Sequence, residues 1–177
     1  MKSNYYITGI SGTGKSAIAS ELRKDNIQAY DIDEIKGICH WRHKESGEKA
    51  IYYTGIGREW LDAHEWICDE EKLKELLDKH SHSDVVVVGI ASNQENYLKY
   101  FDKFFLLYCG KETFLKRLNT RNEGNAFGKD KSEQEQILSW YKDFENRMIK
   151  LGAMPINTER KLEDIVREIK ANMTIEK

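Results

Sequence analysis

The run Gly9-Ile10-Ser11-Gly12-Thr13-Gly14-Lys15-Ser16 combines the residue types and the spacing that hold a polyphosphate. Glycines such as Gly9, Gly12 and Gly14 reach backbone conformations closed to other residues, so consecutive amides can turn inward toward phosphate oxygens. A helix opening at this point would add the partial positive charge of its N-terminus, with the amides of Thr13 through Ala17 as donors. The Lys15 ammonium would neutralise the β- and γ-phosphates, and the Ser16 hydroxyl would take one position on Mg²⁺. ATP and Mg²⁺ are therefore the expected ligands. A glycine turn with an incidental lysine is the plain alternative.

Further along, Asp31 and Asp33 are separated by one residue, so on an extended segment both carboxylates lean the same way and could face the phosphates. A carboxylate at hydrogen-bond distance lets a hydroxyl orient and shed its proton. An exposed acidic turn capping a helix near Glu34 is the alternative. Arg117 and Arg121 stand four residues apart, adjacent on one helical face, and residues 116 to 131 carry a net charge of +3. That suits a phosphate-facing lid as well as a solvated surface. Trp41, Trp60 and Trp66, three of the four tryptophans, fall within 34–83 and could form a stacking platform, with Arg42 or Arg58 binding an anion. Aromatics at helical spacing are equally good core. Ser92, Asn93 and Gln94 follow a strand end where ligands bind in open α/β folds; the Asn93 amide could read a base or sugar, or cap a helix. The histidines are scattered rather than spaced as ligands, so none is expected to bind metal.

The elements that must position these groups alternate. Tyr5 to Thr8 reads as a strand, then the glycine loop, then a helix marked by Ala17, Ile18 and Leu22. Strands are expected again at Ile27 to Tyr30, Val85 to Val88, Phe104 to Tyr108 and Ala153 to Ile156. In the insert, Trp60, Ala63 and Ile67, then Leu73, Leu76 and Leu77, keep helical spacing, which predicts two helices there. Ser132-x-x-Glu135 fits a capping box opening a helix through Ile137, Tyr141, Phe144 and Met148. Residues 1–177 thus read as one three-layer α/β domain with a parallel sheet, a helical insert over 34–83 and a lid over 119–133.

The composition sets limits. Net charge is −2, with 28 basic against 30 acidic side chains, so a coat for nucleic acid polymers is disfavoured. No apolar run approaches the length of a membrane helix, and no secretory signal is read at the start. The three cysteines include no CxxC pair, which points to reduced thiols in the cytoplasm.

With these motifs the chain resembles the P-loop small-molecule kinases, the superfamily of nucleoside monophosphate, shikimate and gluconate kinases. The resemblance implies a five-stranded sheet in the order 2-3-1-4-5, an acceptor-binding insert, and ATP-dependent phosphotransfer to a small-molecule hydroxyl or phosphate, a nucleoside or nucleotide being slightly favoured. It implies Asp31 toward the magnesium shell, Asp33 on the acceptor hydroxyl, Arg117 on the adenine and Arg121 on the transferring phosphoryl group. A monomer or homodimer is expected. The chain departs from many relatives in ending its third sheet strand Gly89-Ile90-Ala91, without the customary acid. That leaves a second class open, a regulatory or hydrolytic ATPase whose insert docks a protein.

Overall fold

The computed structural model describes residues 2–120 and 127–174. The chain runs β1 (Asn4–Thr8), α1 (Lys15–Lys24) and β2 (Gln28–Asp31), then an insert of β3 (Cys39–His43), β4 (Lys49–Ala50), α2 (Arg58–Ala63), β5 (His64–Cys68) and α3 (Glu70–Lys79). It continues as β6 (Val85–Val88), α4 (Gln94–Tyr97), β7 (Lys103–Tyr108), α5 (Lys111–Thr120), α6 (Lys131–Lys150), β8 (Met154–Asn157) and α7 (Leu162–Thr174).

Five strands form a parallel sheet in the order β2-β6-β1-β7-β8. Counted within that sheet alone, this is the 2-3-1-4-5 arrangement; the numbers shift because the insert contributes strands of its own. β1 lies at the centre, so the loop after Thr8 emerges in the middle of the sheet's carboxyl edge, where ligands of open α/β folds bind.

Alternation along the strands builds the layers. Tyr5, Ile7, Val86, Val88, Phe105 and Leu107 pack against Ile18 and Leu22 of α1 and Ile165 and Ile169 of α7. The opposite face sends Tyr6, Val85 and Val87 against Leu73 and Leu77 of α3, and Leu106 against Phe114, Ile137 and Met148 of α5 and α6. All four valines of β6 are fully buried, each stabilising the fold by about 1.5–3 kcal/mol as side-chain burial goes. That two-sided burial explains the unbroken β-branched run. Among the described residues no helix is long and apolar enough to cross a membrane.

The insert differs from the helical expectation. It holds α2 and α3, but also a three-stranded antiparallel sheet in the order β4-β3-β5. The helical spacing through Trp60 ends at His64, where the backbone turns extended (φ −120°, ψ 161°). Residues 64–68 then pair directly opposite 43–39, placing Trp41 against Trp66 with ring centroids 5.7 Å apart. Five cross-strand pairs, among them Trp41 with Trp66 and the opposite charges of Arg42 and Glu65, outweigh a short helical periodicity.

The start of α6 is also two residues earlier than Ser132 and Glu135 suggest. Asp130 is the N-cap and Glu133 completes the capping box. The Asp130 carboxylate accepts from both the Ser132 amide and hydroxyl. Glu133 is fully buried and accepts from the amides of Gly128 at 2.7 Å and Asp130 at 3.2 Å. Asp130-x-x-Glu133, rather than the expected Ser132-x-x-Glu135, puts its glutamate where orphan amides need it.

Candidate active site

The glycine loop is held tightly against the sheet. A Cβ at Gly9 would lie 2.6 Å from the Leu107 carbonyl oxygen, so no other residue fits there. Gly14 caps α1 in the left-handed region (φ 100°), which favours glycine. The Ile18 amide makes the first helical bond, to the Gly14 carbonyl, so the amides of Lys15, Ser16 and Ala17 precede the helical ladder. Thr13 is fully buried and its hydroxyl donates to the Ile10 carbonyl, bracing the loop from within. Gly12 is buried, and its carbonyl accepts from Arg117 at 3.4 Å. The Lys15 ammonium folds over the loop, donating to the carbonyls of Gly9 at 2.7 Å and Ile10 at 3.2 Å.

The two aspartates stand beside this loop, and Asp31 is no exposed turn. It is 2% exposed, accepting the Ser16 hydroxyl at 2.7 Å on one oxygen and the Asp33 amide at 3.1 Å on the other. Asp33 is half-buried and accepts the Trp66 indole N–H at 2.9 Å. Burial pushes the Asp33 carboxyl up to about 6, even though the Lys15 charge and the Trp66 bond pull it down; Asp31 and Glu34 add to the rise.

A hydroxyl and a carboxylate in contact at the mouth of a phosphate loop are hard oxygen donors of the kind Mg²⁺ prefers. Among the described residues no group of three or more His, Cys, Asp or Glu is placed to cage a metal. Ser16 and Asp31 therefore fit a cation that takes its remaining oxygens from phosphate and water.

A cleft of about 1090 Å³ opens from Ser11, Ser16, Asp31 and Asp33 toward a wall of aromatic rings. Trp41 is the hub: it stacks on Tyr52 and meets Trp60, Trp66 and Phe127, with centroids between 5.2 and 5.8 Å. The facing wall is α6, whose Gln136, Trp140, Asp143 and Arg147 line the cleft at helical spacing. The sequence reading missed this stripe because it followed only the apolar face of the same helix. It also missed the Tyr52 hydroxyl, which donates to Glu133 and joins the insert to the start of α6.

Other expected site residues lie elsewhere. Arg58 does not line the cleft; its guanidinium binds both oxygens of Asp62 at 2.8 and 2.9 Å, one turn along α2. Asn93 uses both ends of its amide on the Cys68 backbone, accepting at 2.9 Å and donating at 2.8 Å, and so clamps the end of β5. Its neighbour Ser92 does line the cleft. Trp60 stacks on His64 at 3.9 Å, outside the cleft lining. Arg117 bridges the phosphate loop to the end of β8, donating to the Thr158 hydroxyl at 3.0 Å and carbonyl at 2.7 Å. Arg121, with residues 122–126 of the expected lid, lies outside the described residues.

Residues 6–138 match a family model described as an AAA domain. No curated protein sequence matches the chain. Among solved structures, a shikimate kinase from Acinetobacter baumannii in complex with shikimate superposes with a TM-score of 0.60 at 16% identity, covering 99% of this chain and 97% of its own. A sugar kinase from Janibacter sp. HTCC2649 gives 0.59 at 15% identity, over 99% and 96%. A deoxyadenosine kinase from M. mycoides with bound dATP gives 0.58 at 12% identity, over 96% and 98%. At these identities the likeness establishes a shared fold, the one expected from the motifs.

Proposed function

The chain belongs to the AAA domain family, and from that premise we propose that it is an ATP-dependent phosphotransferase acting on a small-molecule acceptor, with a hydroxyl as the reacting group. The observation that carries this reading is Asp33, which faces the aromatic cleft, hydrogen-bonded to Trp66, while Asp31 beside it holds Ser16 of the phosphate loop. Donor and acceptor ends thus meet at one carboxylate. Fold neighbours carrying shikimate or dATP support a small acceptor and a nucleotide donor.

In this reading the loop amides and Lys15 bind the β- and γ-phosphates. Ser16 and Asp31 would hold Mg²⁺, which when bound would supply positive charge to screen the phosphates. The acceptor hydroxyl oxygen forms a bond to the γ-phosphorus as the bond to the β–γ bridging oxygen breaks, and ADP leaves. The hydroxyl proton passes to Asp33, which at neutral pH is mostly ionised yet more basic than an exposed carboxylate. Arg117, beside the loop, borders the adenine; the phosphoryl contact that the resemblance implies for Arg121 lies outside the described residues. The acceptor-facing carboxylate favours this over a bare ATPase with a protein partner.

The test is a screen of hydroxyl compounds for stimulated ADP release from MgATP, with the phosphorylated product identified by mass. Stimulation by at least one compound is expected. Basal hydrolysis that no acceptor raises would leave only the ATPase reading.

A further inference from the structure

The acceptor end of the cleft has an unusual balance of charge. Its walls are aromatic, and among the described residues three arginines and a lysine on or beside those walls are already engaged. Arg42 binds Glu65, Arg147 binds Glu95 at 2.8 Å, Arg58 binds Asp62, and the Lys44 ammonium donates to the Asp62 carbonyl at 2.6 Å. Two of the cleft's carboxylates are not so engaged. Asp143 and Glu34 both line the cleft, both are exposed, and neither side chain has a hydrogen-bond or ion-pair partner among the described residues. Asp33 and Asp31 add two more acids toward the loop.

An anionic acceptor entering here would meet these carboxylates while, among the described residues, the arginines on and beside the cleft are already paired, in a pocket whose low-dielectric walls strengthen repulsion. A flat ring would instead find Trp41, Tyr52, Trp66 and Trp140 around it, and an amino group would find carboxylate acceptors. Trp140 and Asp143 lie one turn apart on α6, so one ligand can stack on the first while donating to the second.

We propose that the acceptor is a ring-bearing alcohol that carries an amino group and no carboxylate or phosphate, with its amine directed to Asp143 and Glu34. This rests on the phosphotransferase reading and narrows it, setting aside monophosphates and sugar acids.

The probes are adenosine and cytidine, each paired with its 5′-monophosphate and with the analogue bearing a carbonyl in place of the amine, inosine and uridine; shikimate and gluconate complete the set. Binding is read from tryptophan fluorescence with MgADP saturating, so that the donor site is occupied. At least one amine-bearing nucleoside should bind about tenfold or more tightly than its monophosphate, its carbonyl analogue and both acids. In the double variant Glu34→Gln, Asp143→Asn the amine preference should shrink and the monophosphate should bind better than it does to the wild type. A purely structural role for the two acids would weaken all ligands alike. Preference for any anionic probe, binding of neither nucleoside, or a double variant with unchanged selectivity overturns the inference. MgATP affinity, measured on the same protein, reports separately on the phosphotransferase reading.

Discussion

The indole N–H of Trp66 donates to Asp33 Oδ1 at 2.9 Å, across an insert that separates the two residues by 33 positions. This bond does two things. It fixes one carboxylate oxygen, leaving the other available to the cleft, and it favours the ionised form of a group that burial pushes toward neutrality. A proton acceptor near 6 thus results from opposing influences on one side chain.

Replacing Trp66 tests that balance. Trp66→Phe keeps a ring against Trp41 but removes the donor, so the Asp33 carboxyl should rise further. The acidic limb of the kcat/KM profile, expected near pH 6 in the wild type, should move to higher pH. A fall in kcat/KM of about tenfold at pH 6.5 with near recovery at pH 8 is the expected pattern. A pH-independent loss would mean that Trp66 acts only by packing.

Asp33 itself should trade stability for activity. Its folded value of about 6 exceeds the ordinary 3.8, so the folded chain holds this proton more tightly than the unfolded chain. The stabilisation this represents is present below about pH 4 and is lost as pH rises through 6. Asp33→Asn, neutral at every pH, should therefore be more stable than the wild type at pH 7.5, by about 1–3 kcal/mol, and indistinguishable at pH 4. Phosphotransfer should fall by roughly 10² or more while MgATP still binds. Denaturant melts at the two pH values, with coupled ADP assays, check both halves. Wild-type transfer in this variant would remove Asp33 from the chemistry.

Lys15 should matter to the ligand far more than to the fold. Its ammonium donates to two carbonyls of its own loop, bonds that phosphate oxygens would replace. Lys15→Ala is expected to weaken MgATP binding by about ten- to a hundredfold, the worth of a charge-assisted contact. Its melting temperature should change little. Unchanged affinity and turnover would contradict the assignment of this loop.

How far the sequence could be read depended on the range of the interactions. The glycine loop, the valine run of β6 and the Asp31/Asp33 pair are local signals, and their elements stand where they were expected. The helical spacing read through Ile67 failed because the strand over residues 64–68 pairs with one 25 residues away, Trp66 opposite Trp41. Arg58 was assigned to an anion although Asp62 waits four residues on, a helical neighbour visible in the sequence. Asn93 could not be read at all without the Cys68 backbone it clamps. Asp130 caps α6 in place of the expected Ser132 because its partner Glu133 is buried, which no local pattern reports.

Tyr52 links the aromatic wall to the start of α6, and this gives the last prediction. Burial and the Glu133 carboxylate push its phenol up, so it stays protonated and donates to Glu133. Glu133 in turn accepts the amides of Gly128 and Asp130, so one buried carboxylate ties the insert, the segment before α6 and the helix cap together. Tyr52→Phe keeps the ring stacked 5.7 Å from Trp41 and removes only the tie. The acceptor wall should then be held less firmly against α6, raising the acceptor KM about three- to tenfold while MgATP affinity is unchanged. Glu133→Ala goes further, leaving two amides and a hydroxyl without their acceptor in a buried place, and should cost about 2–4 kcal/mol in stability. Acceptor kinetics and denaturant melts on both variants separate the two effects. A Tyr52→Phe enzyme with wild-type acceptor KM would show that the ring alone shapes the wall and that the bond to Glu133 serves only the helix cap.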